Sequence, residues 1–114
     1  MITSLFADVP VSTQGTVGPD GLTIDSQGNL FICMPTHGAI YVVKPSGEPL
    51  AIIKTAETTR DGYMSPLVTN CIFGSTSTDR KRLYFCDSVQ GRICFVDWEH
   101  EGGTPVRQSK RADV

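Results

Sequence analysis

A small number of polar side chains lie where turns meet predicted strands, and these residues have the clearest potential for chemistry. Asp20 stands in Pro19-Asp20-Gly21, directly before a predicted strand. A carboxylate on such a tight turn can bind a hard divalent cation, and it can take a proton from a water that attacks a carbonyl group. The same carboxylate could instead form an Asx turn beside Gly21 and have no further role.

Three further polar residues occupy similar positions. Thr36 and His37 lie in the turn after the next predicted strand, and Asn70 lies beside the equivalent turn in the second half of the chain. An imidazole titrates near neutral pH, so His37 could contact a substrate or carry a proton, although a loop histidine without a role is the alternative. Asn70 could line a binding site or simply cap a strand. We therefore treat Thr36, His37 and Asn70 as candidate substrate-binding residues around Asp20.

The charge balance argues against nucleic acid and membrane partners. The chain of 114 residues has 12 acidic and 10 basic side chains, for a formal net charge of -2. This balance provides none of the positive field that phosphate backbones or anionic lipids require. The apolar runs are strand-sized rather than about 20 residues long. Because the N-terminus also lacks the layout of a signal peptide, we expect a cytoplasmic protein.

Several common kinds of active site have no signature in the sequence. There is no Gly-rich phosphate loop, no Gly-x-Ser-x-Gly turn and no His-Glu-x-x-His motif. Cys33, Cys71, Cys86 and Cys94 have no zinc-like spacing, and we expect them to be reduced, strand-borne and mostly in the core. Cys86 and Cys94 lie symmetrically about Gln90 in a predicted hairpin. In an oxidising compartment they could face each other and form a disulfide.

The elements that must position these side chains are strands. Nearly every periodic segment alternates apolar and polar residues, or is a short apolar run bounded by turn residues, which predicts an all-β chain. The predicted strands cover residues 4–9, 21–25, 30–34, 39–44, 50–55, 69–73, 83–87, 92–97 and, most weakly, 104–108.

An internal repeat organises these strands into two units. Residues 21–25 align with 70–74 at an offset of 49, and residues 29–33 and 38–43 align with 82–86 and 91–96 at an offset of 53. Each unit of about fifty residues holds four short antiparallel strands, as a β-propeller blade does. The prediction is a single partial-propeller domain over residues 1–114. It comprises a leading strand and connection (4–17), a first blade (18–66), a second blade (67–108) and a tail (109–114).

Two blades cannot close a propeller, which needs about four to eight. An isolated pair would expose apolar sheet faces, and such faces usually mark an interface. The chain is therefore predicted to form a homo-oligomer, with a trimer favoured, or to bind a partner that supplies the missing blades, or to be a remnant of a longer gene. A two-sheet sandwich is the structural alternative.

The order of motifs resembles one protein family. Pro19-Asp20-Gly21, followed by Asp25-Ser26-Gln27-Gly28-Asn29-Leu30 and then by the similar second unit, looks like the senescence marker protein (regucalcin), gluconolactonase and luciferin-regenerating enzyme family. The resemblance covers residues 6–106 of this chain but about the last third of a family member. Pro-Asp-Gly with Asp-x-x-Gly-Asn-Leu also occurs in other six-bladed propellers, such as relatives of strictosidine synthase.

The resemblance implies a six-bladed propeller that binds a divalent metal, often calcium, in its central channel and hydrolyses lactones or related esters. It implies that Asp20 is both metal ligand and general base, whereas the family's other ligands, a Glu and two Asn, come from earlier blades without a counterpart here. We therefore predict a metal-dependent, gluconolactonase-type hydrolase whose site is completed by self-association. The alternative is a non-catalytic binding module, a propeller fragment that has lost the family's metal site.

Overall fold

The computed structural model describes residues 18–55, 57–58, 64–65 and 67–104. This part of the chain is all-β, as predicted, and is dominated by two antiparallel sheets of four and three strands. It contains no helix with the length and apolar character needed to cross a membrane. The predicted leading strand (4–9) and the tail (109–114) lie outside the described residues, as do residues 105–108 of the last predicted strand.

Sheet one is an antiparallel meander of four strands. These are β1 (Leu22–Ile24), β2 (Leu30–Met34), β3 (Ala39–Val43) and β4 (Pro49–Lys54), and each pairs with the next in chain order. All four strands were predicted, and their ends differ from the prediction by one residue or less. The turn predicted at Thr36-His37-Gly38 is a short 3-10 helix, Pro35–His37, which ends on Gly38 with φ of 58°. That left-handed backbone suits glycine because it has no Cβ.

Sheet two repeats the arrangement with three strands. They are β7 (Val68–Phe73), β8 (Arg82–Asp87) and β9 (Arg92–Asp97). In the chain, the segment that connects the two sheets forms a short antiparallel pair of strands, β5 (Glu57–Thr58) and β6 (Met64–Ser65). The sequence pattern did not predict this pair. Two residues per strand are too few to show an alternating pattern.

The main core lies between the two sheets. Apolar side chains from one face of sheet one pack against one face of sheet two, and we call this cluster the inter-sheet core. Its buried members are Phe31, Cys33, Ile40, Val42, Val68, Cys71, Phe73, Leu83 and Phe85. The ring of Phe31 lies at its centre, edge-on to Phe73 and Trp98 with ring centroids 5.2 Å and 5.1 Å away. Strand alternation places these residues on one face because successive side chains point to opposite sides.

The repeat shows which faces are covered and which are not. Four inter-sheet core positions of sheet one have counterparts on the opposite, outer face of sheet two, at the offset of 53. The pairs are Phe31/Tyr84, Cys33/Cys86, Ile40/Ile93 and Val42/Phe95. The first member of each pair is buried, whereas Ile93 is 70% exposed and Phe95 is 47% exposed. The outer face of sheet two is thus the face that a next blade would cover.

The outer face of sheet one has the reciprocal character. Leu22, Ile24, Leu30, Ile32 and Val43 lie on it and are the counterparts of residues that sheet two contributes to the inter-sheet core. Leu22 and Ile24 on β1 remain 57% and 44% exposed, whereas Ile32 and Val43 are buried with Met34 in a second apolar cluster on this face. Each outer face therefore carries the pattern of one half of the inter-sheet core.

The four cysteines lie on strands and are reduced, as predicted. Cys33 and Cys71 are buried, and Cys86 and Cys94 are half-buried. The predicted opposition of Cys86 and Cys94 is wrong, because Cys86 pairs with Ile93 and Cys94 pairs with Phe85. This register differs by one residue from the symmetric one, which puts the two thiols on opposite faces of sheet two.

Candidate functional site

The backbone around Asp20 is hydrogen-bonded to both sheets. The Asp20 N–H donates to the carbonyl of Cys33 on β2 (3.0 Å), and the Gly21 N–H donates to the carbonyl of Thr69 on β7 (2.8 Å). Cys33 in turn donates its N–H to the Gly21 carbonyl (2.9 Å). The Asp20 side chain is exposed. The turn is therefore held by main-chain hydrogen bonds while its carboxylate remains available to solvent.

Gly21 allows this turn to approach the second sheet. A Cβ at Gly21 would lie 2.8 Å from Cα of Asn70, closer than real Cβ atoms come to backbone. Any larger residue would push β1 away from β7 at this point. The Pro-Asp-Gly sequence thus places Asp20 next to Asn70, because glycine has no Cβ that would overlap Asn70.

Asn70 lies on β7 at the same end of the molecule as Asp20. Its side-chain Oδ1 accepts a hydrogen bond from the N–H of Cys71 (2.9 Å), and the residue is exposed. Asn70 is the third of the six residues of β7, so it lies within the strand and does not cap its end, which was one of the two predictions for it. Its side chain lines a groove between β1 and sheet two.

Thr36 and His37 lie at this end as well, because their 3-10 helix follows directly on β2, where Cys33 bonds Asp20. Both residues are half-buried. His37 Nδ1 is 2.8 Å from the hydroxyl of Tyr41, and their ring centroids are 5.7 Å apart. His37 is therefore held by a phenol rather than by a carboxylate. The structure brings Asp20, Thr36, His37 and Asn70 to one end of the two sheets, which we call the rim.

A groove beside the rim has a volume of about 370 Å³ and is mostly apolar. It runs between β1, at Leu22 and Thr23, and the outer side of sheet two, at Ile72 and Ile93. Of the four candidate residues, Asn70 lines this groove and the other three do not. The groove therefore borders the rim and is not centred on Asp20.

The described residues do not form a metal site within one chain. In residues 18–55, 57–58, 64–65 and 67–104, no three His, Cys, Asp or Glu side chains cluster closely enough to hold an ion. Asp20 supplies a suitable oxygen ligand, but one carboxylate is far short of the six to eight oxygens that calcium takes. The donor set that the described part of one chain offers does not fit a calcium ion.

Two buried carboxylates stabilise turns and lie away from this chemistry. Asp25 accepts the N–H groups of Gln27 and Asn29, both at 2.9 Å, and so stabilises the turn between β1 and β2. Asp87, which the sequence analysis did not single out, accepts backbone N–H groups and two bonds from Arg92. Burial works to raise the pKa of Asp87, but the Arg92 guanidinium and the N–H donors outweigh it and lower that pKa. The sequence signal for this turn role was the position of Asp87, four residues before Gly91 in a predicted hairpin.

The pattern of strands, repeat and Pro-Asp-Gly turn has a counterpart among known proteins. A family model described as the SMP-30/gluconolactonase/LRE-like region matches residues 3–78 of the 114. The match covers more than half of the chain and includes Asp20, Thr36, His37 and Asn70. The chain belongs to this family. Membership in the SMP-30/gluconolactonase/LRE-like family agrees with a partial propeller of two successive antiparallel sheets.

A curated relative gives a closer comparison. The chain is similar to a gluconolactonase from Zymomonas mobilis subsp. mobilis, with 44% identity over 62 residues. The aligned part is 54% of this chain and 15% of the relative. The chain therefore spans a small fraction of the length of this relative.

Proposed function

We propose that this chain forms part of a lactonase-type hydrolase of the gluconolactonase kind, with a site completed by further copies of the chain. The observation that carries the proposal is the exposed carboxylate of Asp20, on a turn bonded to both sheets, in a chain of the gluconolactonase-like family. A catalytic carboxylate must be held in place while it remains open to substrate. The hydrogen bonds at Asp20 and Gly21 provide the first condition, and exposure provides the second.

In this proposal Asp20 acts as a general base. Its carboxylate takes a proton from a water molecule as the water oxygen bonds to the lactone carbonyl carbon. The ring C–O bond then breaks, and the ring oxygen takes the proton back, leaving an open-chain hydroxy acid. Asn70, Thr36 and His37 on the same rim can donate or accept hydrogen bonds to the hydroxyl groups of such a substrate.

Self-association is supported by the two outer faces. The outer face of sheet two carries the counterparts of Phe31, Cys33, Ile40 and Val42, which sheet one buries in the inter-sheet core. The outer face of sheet one carries the counterparts of the residues that cover them. A second copy can therefore add head to tail at the exposed part of this face, around Leu22 and Ile24, and such a heterologous contact forms a ring when its rotation closes. Three copies would give about six blades.

Calcium enters the proposal at the level of the assembly. One chain has no three-ligand cluster among its described residues, so we propose that Asp20 carboxylates from several copies would share the ion around the ring axis. Calcium would neutralise the repulsion between these carboxylates. No step of the hydrolysis described above depends on it.

A non-catalytic role is the second candidate, and the outer face of sheet two favours it. Ile72 and Ile93 are 65% and 70% exposed on that face, which makes it a surface suited to another apolar sheet. In this second proposal the face docks onto a protein that supplies the missing blades, and no lactone is hydrolysed.

The native mass and lactone hydrolysis of the purified chain test the proposal together. We expect a closed oligomer by light scattering and hydrolysis of glucono-lactone above the uncatalysed rate. Asp20→Asn should keep the oligomer and lose at least about 100-fold in rate, as expected for removal of a general base. Glu99→Gln, which removes an exposed charge far from the rim, is the matched control and should hydrolyse normally. A monomer, or an oligomer whose rate Asp20→Asn leaves unchanged, would contradict the enzyme and favour the docking role.

A further inference from the structure

Two buried thiols meet where the two sheets pack together. Cys33 lies on β2 and is fully buried, and Cys71 lies on β7 with 6% exposure. Both belong to the inter-sheet core, and the Cys71 thiol lies 4.0 Å from the carbonyl oxygen of Phe31. Neither thiol has a role in the hydrolysis proposed above.

The strands that carry the two thiols lie close together, because the Cys33 N–H donates to the Gly21 carbonyl and Gly21 packs against Asn70, the residue before Cys71. A hydrogen bond with the Cys71 thiol, together with burial, raises the pKa of the Cys33 thiol. The same bond, with Cys33 as the donor, lowers the pKa of the Cys71 thiol against the opposing effect of burial. Of the two thiols, Cys71 therefore loses its proton more readily, and its thiolate is the nucleophile of the pair.

Cys71 can be reached from solvent. It forms part of the lining of the 370 Å³ groove beside the rim, whereas Cys33 lies behind it. The half-buried Cys86 lines the same groove. A small oxidant there would meet both sulfurs, and of the two Cys71 packs with Cys33 in the inter-sheet core. A reactive thiol with a second thiol in contact is the arrangement that leads to a disulfide.

The register of the strands argues against two other pairings. Cys71 pairs with Phe85 and Phe85 pairs with Cys94, so a whole strand separates Cys71 from Cys94. That spacing is about 9.5 Å, beyond the roughly 4.4–6.8 Å between Cα atoms in disulfides. Cys86 and Cys94 lie on adjacent strands but on opposite faces, so their Cβ atoms point apart.

We propose that Cys33 and Cys71 form a redox modification site, at which a small hydroperoxide converts the dithiol to a disulfide that links the two sheets. The Cys71 thiolate attacks the peroxide oxygen and becomes a sulfenic acid, and the peroxide's other oxygen leaves with its substituent as water or an alcohol. The Cys33 sulfur then displaces the sulfenic oxygen as water. The two thiols lose two electrons and two protons in total, and the peroxide is reduced.

The disulfide would lie directly below the rim. The carbonyl of Cys33 accepts the Asp20 N–H, and Cys71 follows Asn70 in the chain. Oxidation would therefore join β2, which accepts the Asp20 N–H, to β7, which carries Asn70. This inference depends on the positions of the sulfurs and not on the proposed hydrolase, and it can fail or succeed independently of lactone hydrolysis.

Peptide mapping of the peroxide-treated chain tests the proposal. A basic residue lies between each successive pair of cysteines, so the four fall in separate tryptic peptides. After hydrogen peroxide treatment of the full chain we expect an intramolecular mass loss of about 2 Da. We also expect a non-reduced peptide that joins Cys33 to Cys71 and separates on reduction. The midpoint of thermal unfolding should rise by roughly 10 °C, because the bond closes a long loop.

Variants distinguish this pair from the other cysteines. A double variant, Cys86→Ser with Cys94→Ser, should form the same cross-link as the natural chain. Cys33→Ala should leave Cys71 oxidised beyond the sulfenic state without a cross-link, since alanine is small enough for that core position. A cross-link through Cys86 or Cys94, a disulfide between chains, or no cross-link while Cys71 is over-oxidised in the natural chain would each overturn the proposal.

Discussion

The indole nitrogen of Trp98 donates a 3.0 Å hydrogen bond to Oδ2 of Asp25, which lies 73 positions earlier in the chain. The same carboxylate oxygen accepts a 2.8 Å bond from the side-chain amide of Asn29. The chain after Trp98 continues the contact, because Gly102 forms a β-bridge with Asp25 and Gly103 donates to the carbonyl of Ile24. The end of sheet two is thereby fastened to the first turn of sheet one, at the end opposite the rim.

Replacing Trp98 with phenylalanine should loosen this connection while keeping an aromatic ring against Phe31. We expect Trp98→Phe to lower the free energy of unfolding by about 2 kcal/mol, the range for a hydrogen bond to a charged acceptor. Urea denaturation followed by far-UV circular dichroism measures the change. The control is Arg82→Gln, which breaks an exposed ion pair with Asp97 and should barely shift the midpoint. Equal effects of the two variants would contradict the role given to Trp98.

Acid should destabilise the chain in part through Asp25. Burial works to raise the pKa of Asp25, but hydrogen bonds from Asn29, Trp98 and Gln27 outweigh it and lower that pKa below its ordinary value. A carboxyl group with a lowered folded-state pKa contributes stability above its unfolded pKa of about 3.9, and this contribution is lost as pH falls through the folded value.

The variant Asp25→Asn should therefore be less stable than the natural chain at pH 7 and should lose less stability between pH 6 and pH 3. Urea midpoints measured across this range give the comparison. Some acid sensitivity should remain, because the pKa of Asp87 is also lowered. A variant that loses as much stability as the natural chain over the same range would show that the Asp25 carboxylate is not the group responsible.

Gly21→Ala should disturb the rim by steric overlap. The added Cβ would lie 2.8 Å from Cα of Asn70, and Gly21 directly precedes β1 while Asn70 lies on β7, so neither backbone can easily shift. We expect a loss of about 1–3 kcal/mol in unfolding free energy, typical of overpacking. Gly91→Ala is a useful comparison because its Cβ would meet nothing within 4 Å, so that any cost comes from its positive φ of 65°. Lactone hydrolysis should fall in Gly21→Ala and remain unchanged in Gly91→Ala.

Lysine substitutions on the two outer faces should show whether copies of the chain assemble head to tail or through a two-fold contact. Ile93→Lys on sheet two and Leu22→Lys on sheet one should each prevent ring closure, because each places a charge where the contact needs an apolar side chain. Mixing the two variants should produce a discrete heterodimer, since each retains the face that the other lacks. Light scattering measures the native masses of each variant and of their mixture. If both variants alone assemble like the natural chain, the outer faces are not the interface.

The strands were predictable because their evidence is local. Residues 30–34 and 92–97 contain short apolar runs bounded by turn residues, and β2 and β9 begin and end at those positions. β5 and β6 were missed because two-residue strands have no period. The register of β8 against β9 was wrong by one residue, since a symmetric spacing of cysteines does not determine where the turn is centred.

By itself the sequence determined the all-β class, the internal repeat and the positions of the main strands, because these follow from short apolar or alternating segments and the turn residues that bound them. The tertiary structure decided which faces were covered. It buried Cys33 against Cys71, left the equivalent Cys86 on an outer face, and joined Trp98 to Asp25. It also brought Asp20 beside Asn70 through the absence of a side chain at Gly21. Contacts of this kind join residues far apart in the chain, and they form when two sheets pack, so no local pattern encodes them.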